Sequence, residues 1–189
     1  MSDFPKNLFE KDSHCSYCGT KFLIQNAWPR KCYGCLNDSW KNPIPIIVAM
    51  VPVKSWTPNG APKFGLLTQI RNIEPQKGGL ALPGGYINHG ETWQQAAARE
   101  NEEEVGLPQR PDDYELCDIR PAESGNMLIF CNSTFHIKDF DSFNKTFVPN
   151  EEVRSLDVYW GQDNPQQLCF PTHRECADLY IAQLNEAYG

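Results

Sequence analysis

Gly85-Tyr86-Ile87-Asn88-His89-Gly90-Glu91-Thr92-Trp93-Gln94-Gln95-Ala96-Ala97-Ala98-Arg99-Glu100-Asn101-Glu102-Glu103-Glu104-Val105-Gly106-Leu107 is the stretch on which the reading of this chain turns. Its first part, Tyr86 to Glu91, is a glycine-punctuated loop. Its second part predicts a helix from Thr92 through Glu104, with Ala96, Ala97 and Ala98 as strong helix formers and Gly106 as the stop. On that helix Glu100 stands three and four residues before Glu103 and Glu104, so three carboxylates share one face. Stacked like charges repel, and the negative end of the helix dipole disfavours anions there. Hard divalent cations offset such a cluster: Mg²⁺ takes carboxylate and water oxygens and is commonly shared with substrate phosphates. A solvated acidic face would accommodate the same residues, so the carboxylates alone leave both readings open.

Working outward, Ile46 to Val53 reads as a buried strand, Lys54 to Pro62 as a turn, and Phe64 to Ile70 as a second strand. Asn72 to Gly79 is a polar loop, and Leu80 to Gly85 leads into the quoted segment. Beyond it, Leu116 to Ile119, Met127 to Ile137 and Ser155 to Trp160 read as strands. Asp139 to Asn150 reads as a flexible loop and Thr172 to Tyr188 as a closing helix. Strands alternating with two helices predict an α/β layered fold.

The first forty residues differ in kind. Cys15-Ser16-Tyr17-Cys18-Gly19 and Cys32-Tyr33-Gly34-Cys35 are two Cys-x-x-Cys knuckles, in which glycine supplies the positive φ of a tight turn. Two knuckles make a closed tetrahedron of thiolates, the geometry Zn²⁺ accepts, with no open position left for catalysis. Cys15, Cys18, Cys32 and Cys35 are therefore the expected ligands of a structural zinc in a ribbon spanning residues 1–41. The other four of the eight cysteines are scattered, and a disulfide framework is the lesser reading.

The chain of 189 residues carries 24 Asp+Glu against 17 Lys+Arg, a formal −7. Residues 1–41 hold six Lys/Arg and four Asp/Glu, so four thiolates and one Zn²⁺ bring the ribbon close to neutral. Residues 85–107 hold five Glu and one Arg. That balance argues against a nucleic-acid binder, which keeps a basic face. The opening residues show no basic-then-apolar leader, and the apolar run from Ile44 to Val53 is too short and too proline-broken to span a bilayer. The expected setting is cytoplasmic, with no membrane partner.

The quoted segment resembles the Nudix box, Gly-x5-Glu-x7-Arg-Glu-U-x-Glu-Glu-x-Gly-U, where U is a bulky aliphatic. Gly85, Glu91, Arg99, Glu100, Glu103, Glu104, Gly106 and Leu107 match; Asn101 departs, standing where an aliphatic residue packs the helix onto the sheet. If buried, its amide needs partners to avoid a cost of about 1–3 kcal/mol. The resemblance implies a Nudix α/β/α sandwich with a mixed sheet over residues 44–189. It implies a hydrolase that splits nucleoside diphosphates linked to another moiety by attack of water, with Mg²⁺ or Mn²⁺. Glu100, Glu103, Glu104 and the Gly85 carbonyl are then the metal ligands, Arg99 orients a glutamate, and Glu91 braces the loop to the helix. Glu103 and Glu104 with Arg99 form the catalytic group. The general base is a box glutamate or one from a later loop: Glu152 leads, with Glu151 and Glu123 as alternatives. Arg71, after the second strand, is the expected phosphate contact, and His173-Arg174 a lesser one. Trp56, Phe64, Tyr86, Phe130, Phe135 and Trp160 are candidates for stacking on a base, with core packing the simpler role for most.

A zinc ribbon ahead of such a box resembles NADH, FAD and ADP-ribose pyrophosphatases. The Ser-Gln-Pro-Trp array of the NADH enzymes has no counterpart between Pro108 and Asn126, which turns the expectation toward other nucleotide-type substrates. Homodimers are frequent among similar proteins. The alternative is a non-catalytic Nudix module that senses a ligand or assists RNA processing, but such modules typically lose box glutamates that are all present here.

Overall fold

Two short strands frame the second cysteine knuckle: β1 (Arg30–Lys31) and β2 (Asp38–Ser39) pair antiparallel, with Arg30 opposite Ser39. The computed structural model describes residues 11–23 and 27–188, so the stretch Met1 to Glu10, read above for a leader, lies outside the described residues. The chain divides into two compact units, Met1–Pro43 and Ile44–Gly189. In the first, the buried apolar cluster is Cys15, Phe22 and Cys32, with Cys35 packed against it. A core of that size does not hold a fold by itself.

The long apolar run in the second unit is two strands, not one. β3 (Pro45–Met50) and β4 (Pro52–Trp56) meet at Val51 and enter different sheets. Pro52 has no N–H to give to a ladder, so the chain changes partners there. β4 then extends through Trp56, and the expected turn narrows to the residues around Pro58-Asn59-Gly60, ahead of β5 (Pro62–Arg71). β6 (Leu80–Ala81) and α1 (Trp93–Val105) follow, then β7 (Tyr114–Pro121), β8 (Met127–Ser133), α2 (Phe140–Thr146), β9 (Val153–Tyr159) and α3 (Pro171–Tyr188).

One sheet has the order β3-β8-β7, with β3 parallel and β7 antiparallel to β8. In the other, β5 is central: it pairs antiparallel with β4, β6 and β9. Buried Ala96, Ala97 and Ala98 of α1 pack against Ile47, Ala49, Tyr114 and Cys131. Cys176, Ala177 and Ile181 of α3 pack against Leu66, Ile70, Leu80 and Phe130. Helices thus cover the strands from both sides, in the expected α/β/α arrangement, with one mixed and one antiparallel sheet.

The segment expected to be a flexible loop contains α2. Asp139 caps it, accepting from the Ser142 N–H at 3.0 Å. Phe140, Phe143 and Phe147 pack on the cluster of Val51, Val53, Leu67 and Val105. Partly burying three phenyl rings there favours order despite the polar residues between them.

His173 also departs from expectation. It is buried, with its ring set edge-on to Phe130 at 5.6 Å and tilted on Phe170 at 5.0 Å, and so is withdrawn from any surface anion. Burial, with Arg71 nearby, pushes its pKa down to about 4, and Nδ1 has no hydrogen-bond partner. A histidine with a depressed folded pKa contributes stability that is present above its unfolded value near 6.5 and lost as pH falls through 4. Denaturant titrations of the wild type and of His173→Phe from pH 7 to pH 4 should diverge, with the wild type losing about 3 kcal/mol more. Parallel curves would refute the reading.

Candidate active site and metal centre

α1 is fixed at both ends. Thr92 and Gln95 form a capping box: the Gln95 N–H donates to Thr92 Oγ1 at 3.2 Å, and the Thr92 N–H to Gln95 Oε1 at 2.9 Å. At the other end Gly106 takes φ 70°, which lets its N–H reach the Glu102 carbonyl. With the alanine face buried, the Arg99-Glu100-Glu103 face is turned to the loop that precedes the helix. Asn101 is fully buried. Its Nδ2 donates to the Tyr114 hydroxyl and, at 3.3 Å, to Gln109 Oε1, while Gln109 Nε2 donates to Ser133 Oγ at 2.6 Å. A polar network thus takes the place of the aliphatic contact, leaving Asn101 Oδ1 unpartnered.

Arg99 joins loop to helix. Its Nε and Nη2 donate to Glu91 Oε1 and Oε2 at 2.9 and 3.0 Å. Its Nη1 donates to Glu100 Oε1 at 2.7 Å and Glu103 Oε2 at 3.0 Å, and Nη2 to the Tyr86 carbonyl at 3.0 Å. All five guanidinium hydrogens are therefore engaged. Arg99 holds the Glu91 carboxyl below its ordinary range, despite an opposing effect of burial, and Glu91 also accepts from the Asn88 N–H at 2.9 Å.

The three carboxylates sit in different settings. Glu103 is open, with 61% of its side chain exposed. Glu100 is buried, and burial raises its pKa against the pull of Arg99. Its carboxylate lies against Gly85, where an added Cβ would come within 2.4 Å of Oε1, so only glycine fits. Glu104 is the most enclosed of them, at 5% exposure, and accepts from the Gly84 N–H at 2.8 Å. Burial pushes it up to about 7, the charges of Glu100 and Glu152 add to the rise, and hydrogen bonds from Gly84 and Gln69 oppose it. The Gly85 carbonyl already accepts from the Ile47 N–H at 2.9 Å, which leaves it one lone pair.

Glu152, itself exposed, is tied by its backbone N–H to Asn150, whose amide bonds the Glu103 and Glu104 carbonyls. It thus stands beside the end of the box helix, and its charge adds to the rise of the Glu100 and Glu104 pKa. Neighbouring Glu151 is exposed, and Glu123 is exposed in the β7–β8 turn. Arg71 is engaged elsewhere: its Nε donates to the Pro75 carbonyl at 2.8 Å, and its guanidinium lies 5.5 Å from the Phe170 ring centre. Of the candidate stacking residues, Phe64 and Phe130 are in the core, while Trp56, Tyr86 and Phe135 are exposed. Two groups at the site had no strong signal in the sequence. Gln69, buried on β5, reaches Glu104 because it shares a strand face with Leu67, which packs with Val105 of α1. Asn150 could have been noticed from the turn-forming run Pro149-Asn150 just ahead of Glu152.

In the N-terminal unit the four predicted sulfurs converge: Cys15, Cys18, Cys32 and Cys35 offer Sγ atoms all within 4.8 Å of one another. The Cys15–Cys35 and Cys18–Cys32 separations are 3.7 and 3.6 Å. Sulfurs about 2.3 Å from a tetrahedral zinc stand about 3.8 Å apart, so the tetrad fits that ion. The Tyr17 N–H points at Cys15 Sγ (3.5 Å) and the Gly34 N–H at Cys32 Sγ (3.3 Å), bonds that favour thiolates. The two knuckles match in hydrogen bonding, Gly19 N–H to the Cys15 carbonyl and Leu36 N–H to the Cys32 carbonyl, both at 2.9 Å. The positive φ of the second knuckle falls on Leu36 (60°), not on Gly34. Gly34 serves a close approach: a Cβ there would lie 2.7 Å from Thr20 Oγ1.

The model of the NUDIX domain matches residues 58–164, more than half of the chain. No curated protein sequence matches it. Among solved structures, the chain is similar to a NUDIX hydrolase from Nitrosomonas europaea, with 20% identity and a TM-score of 0.60 over 92% of this chain and 93% of that one. It is also similar to the NUDIX domain of Shewanella oneidensis NrtR complexed with ADP ribose, at 15% identity and a TM-score of 0.58 over 77% and 90% of the two chains. A C. elegans Ap4A hydrolase follows at 14% identity and 0.55, over 75% and 98%. These likenesses share the fold, and with the matched domain and the box geometry they lead to one conclusion: the chain belongs to the Nudix family.

Proposed function

We propose that this protein is a Mg²⁺-dependent pyrophosphohydrolase that cleaves the diphosphate of a nucleoside diphosphate-linked compound of the ADP-ribose or FAD type. The observation that carries this reading is that Glu100 and Glu103 share Arg99, Glu104 sits against the Gly84 N–H, and Glu152 is tied to the end of the same helix through Asn150. Four carboxylates with one cation leave a surplus of hard oxygen donors, the set that Mg²⁺ or Mn²⁺ selects. Glu100, Glu103, Glu104 and the remaining lone pair of the Gly85 carbonyl would hold the ion, which when bound neutralises pyrophosphate oxygens and acidifies water.

The chain's own groups supply the rest. Glu152 takes a proton from the attacking water as its oxygen bonds to phosphorus, and the bridging P–O bond breaks toward the leaving phosphate. Arg99 keeps Glu100 and Glu103 in place. Tyr86, exposed beside Gly85, offers a face on which a base can stack. Arg71 gives only its Nε–H to Pro75, so its Nη groups could meet a phosphate. Two structural neighbours named with ADP ribose and Ap4A support a nucleotide-type substrate. The cysteine ribbon, residues 1–41, holds a structural Zn²⁺ and takes no part in the chemistry.

The test is product release from ADP-ribose, FAD, NADH and nucleoside triphosphates, each with Mg²⁺ and with Mn²⁺. AMP appearing from ADP-ribose or FAD, with little from NADH, is the expected result. Binding without turnover of any of them would replace this reading with that of a ligand-sensing module.

A further inference from the structure

The C-terminal carbonyls of a helix have no partners within it, and those of α1 sit directly behind the metal-site glutamates. Two of them, Glu103 and Glu104, accept from one side chain across 46 or 47 residues of chain: Asn150 Nδ2 lies 3.2 Å from the Glu103 carbonyl and 3.1 Å from that of Glu104. The other end of the same amide faces the opposite way. Asn150 Oδ1 accepts from the Glu152 N–H at 2.9 Å and the Val153 N–H at 2.7 Å. The loop is closed on both sides: the Asn150 N–H reaches the Val153 carbonyl at 3.0 Å, and the Asn72 N–H reaches the Glu152 carbonyl at 2.7 Å. One planar amide therefore joins the backbone of Glu103 and Glu104 to the backbone of Glu152.

We propose that Asn150 is a positioning residue for hydrolysis, fixing Glu152 against the box helix at the distance proton transfer needs. This rests on the reading of Glu152 as general base, which is tested separately below. Asn150 touches neither substrate nor metal in this account; it acts only through Glu152. Small misplacements matter in such a site, because proton transfer requires the base within hydrogen-bond reach of the water. Both halves of the amide are needed. Its oxygen shapes the turn that carries Glu152, and its nitrogen ties that turn to α1.

A double-mutant cycle separates this role from a general effect on folding. Asn150→Ala should lower kcat by about 10- to 100-fold with KM changed less than about twofold. Added to Glu152→Gln, which is itself crippled, it should lower kcat by less than about twofold further, because the group it positions is already gone. Asn150→Asp keeps an oxygen for the Glu152 and Val153 N–H groups but sets an anion against two carbonyls. It should lose activity about as Asn150→Ala does, and it serves as the readout if the alanine variant folds poorly. Full multiplication of the two defects, or full activity in Asn150→Asp, would overturn the proposal while leaving Glu152 as base. Wild-type kcat in Glu152→Gln alone would overturn the base assignment and this proposal with it.

Discussion

Glu103→Gln should lower kcat by about 10²- to 10⁴-fold while leaving thermal stability within about a degree or two of wild type. The loss follows from removing a carboxylate that would ligate the metal: transition-state stabilisation by a bound metal is worth several kcal/mol, and each 1.36 kcal/mol is about tenfold in rate. The stability estimate comes from exposure. Glu103 has 61% of its side chain in solvent, and its ion pair is with Arg99, which keeps Glu91 and Glu100 as partners. Exposed pairs contribute about 0–1 kcal/mol. Turnover with Mg²⁺ and calorimetry on the same preparation check both halves, and near-wild-type activity would remove Glu103 from the site. Glu104 is a poorer choice for this test, because it is buried and bonded to the Gly84 N–H, so its replacement disturbs packing as well as chemistry.

Stripping zinc should be as drastic for the N-terminal unit. Its buried cluster contains Cys15, Phe22 and Cys32, and two of those three residues belong to the tetrad that could hold the ion. Structural zinc in small domains of this kind contributes apparent binding energies of about 10–16 kcal/mol, and without metal such domains are unfolded. A strong chelator should release one zinc per chain and collapse the amide signals of residues 11–23 and 27–43 to random-coil values. Re-addition of zinc should restore them. Cys32→Ser should show the same loss without chelator. A unit that keeps its dispersed signals with no metal bound would show that the sulfurs play another part.

How much of this was legible beforehand depends on the range of the interactions. The box was readable because its spacing is local: Glu100, Glu103 and Glu104 fall on one face through helical periodicity alone, and Gly106 stops the helix at a left-handed turn. The knuckles were readable for the same reason. The division of Ile46 to Val53 was not, since a buried apolar run does not say which sheet each half will join, even where Pro52 breaks it. α2 was hidden by its polar residues, although Phe140, Phe143 and Phe147 stand three and four apart as a helix requires. Asn101 looked like a flaw in the box. It is reconciled by Tyr114, Gln109 and, through Gln109, Ser133, which arrive from three separate segments that no local pattern links. Glu152 stood in the expected later loop, but its tie to α1 through Asn150 spans too much chain to be seen in spacing.

The arrangement around Arg99 carries a consequence for recognition. A guanidinium in an active site is the obvious group to grip a phosphate, yet this one has five hydrogens and five acceptors already in place. A phosphate oxygen could bond to it only by displacing a glutamate or the Tyr86 carbonyl, and either exchange would loosen the joint between loop and helix. Arg99 is thus a keystone, and its usefulness lies in not being available. On the proposed function, a bound divalent cation would supply the positive charge that Arg99 does not offer, which is how a site of anionic side chains could take an anion as its substrate.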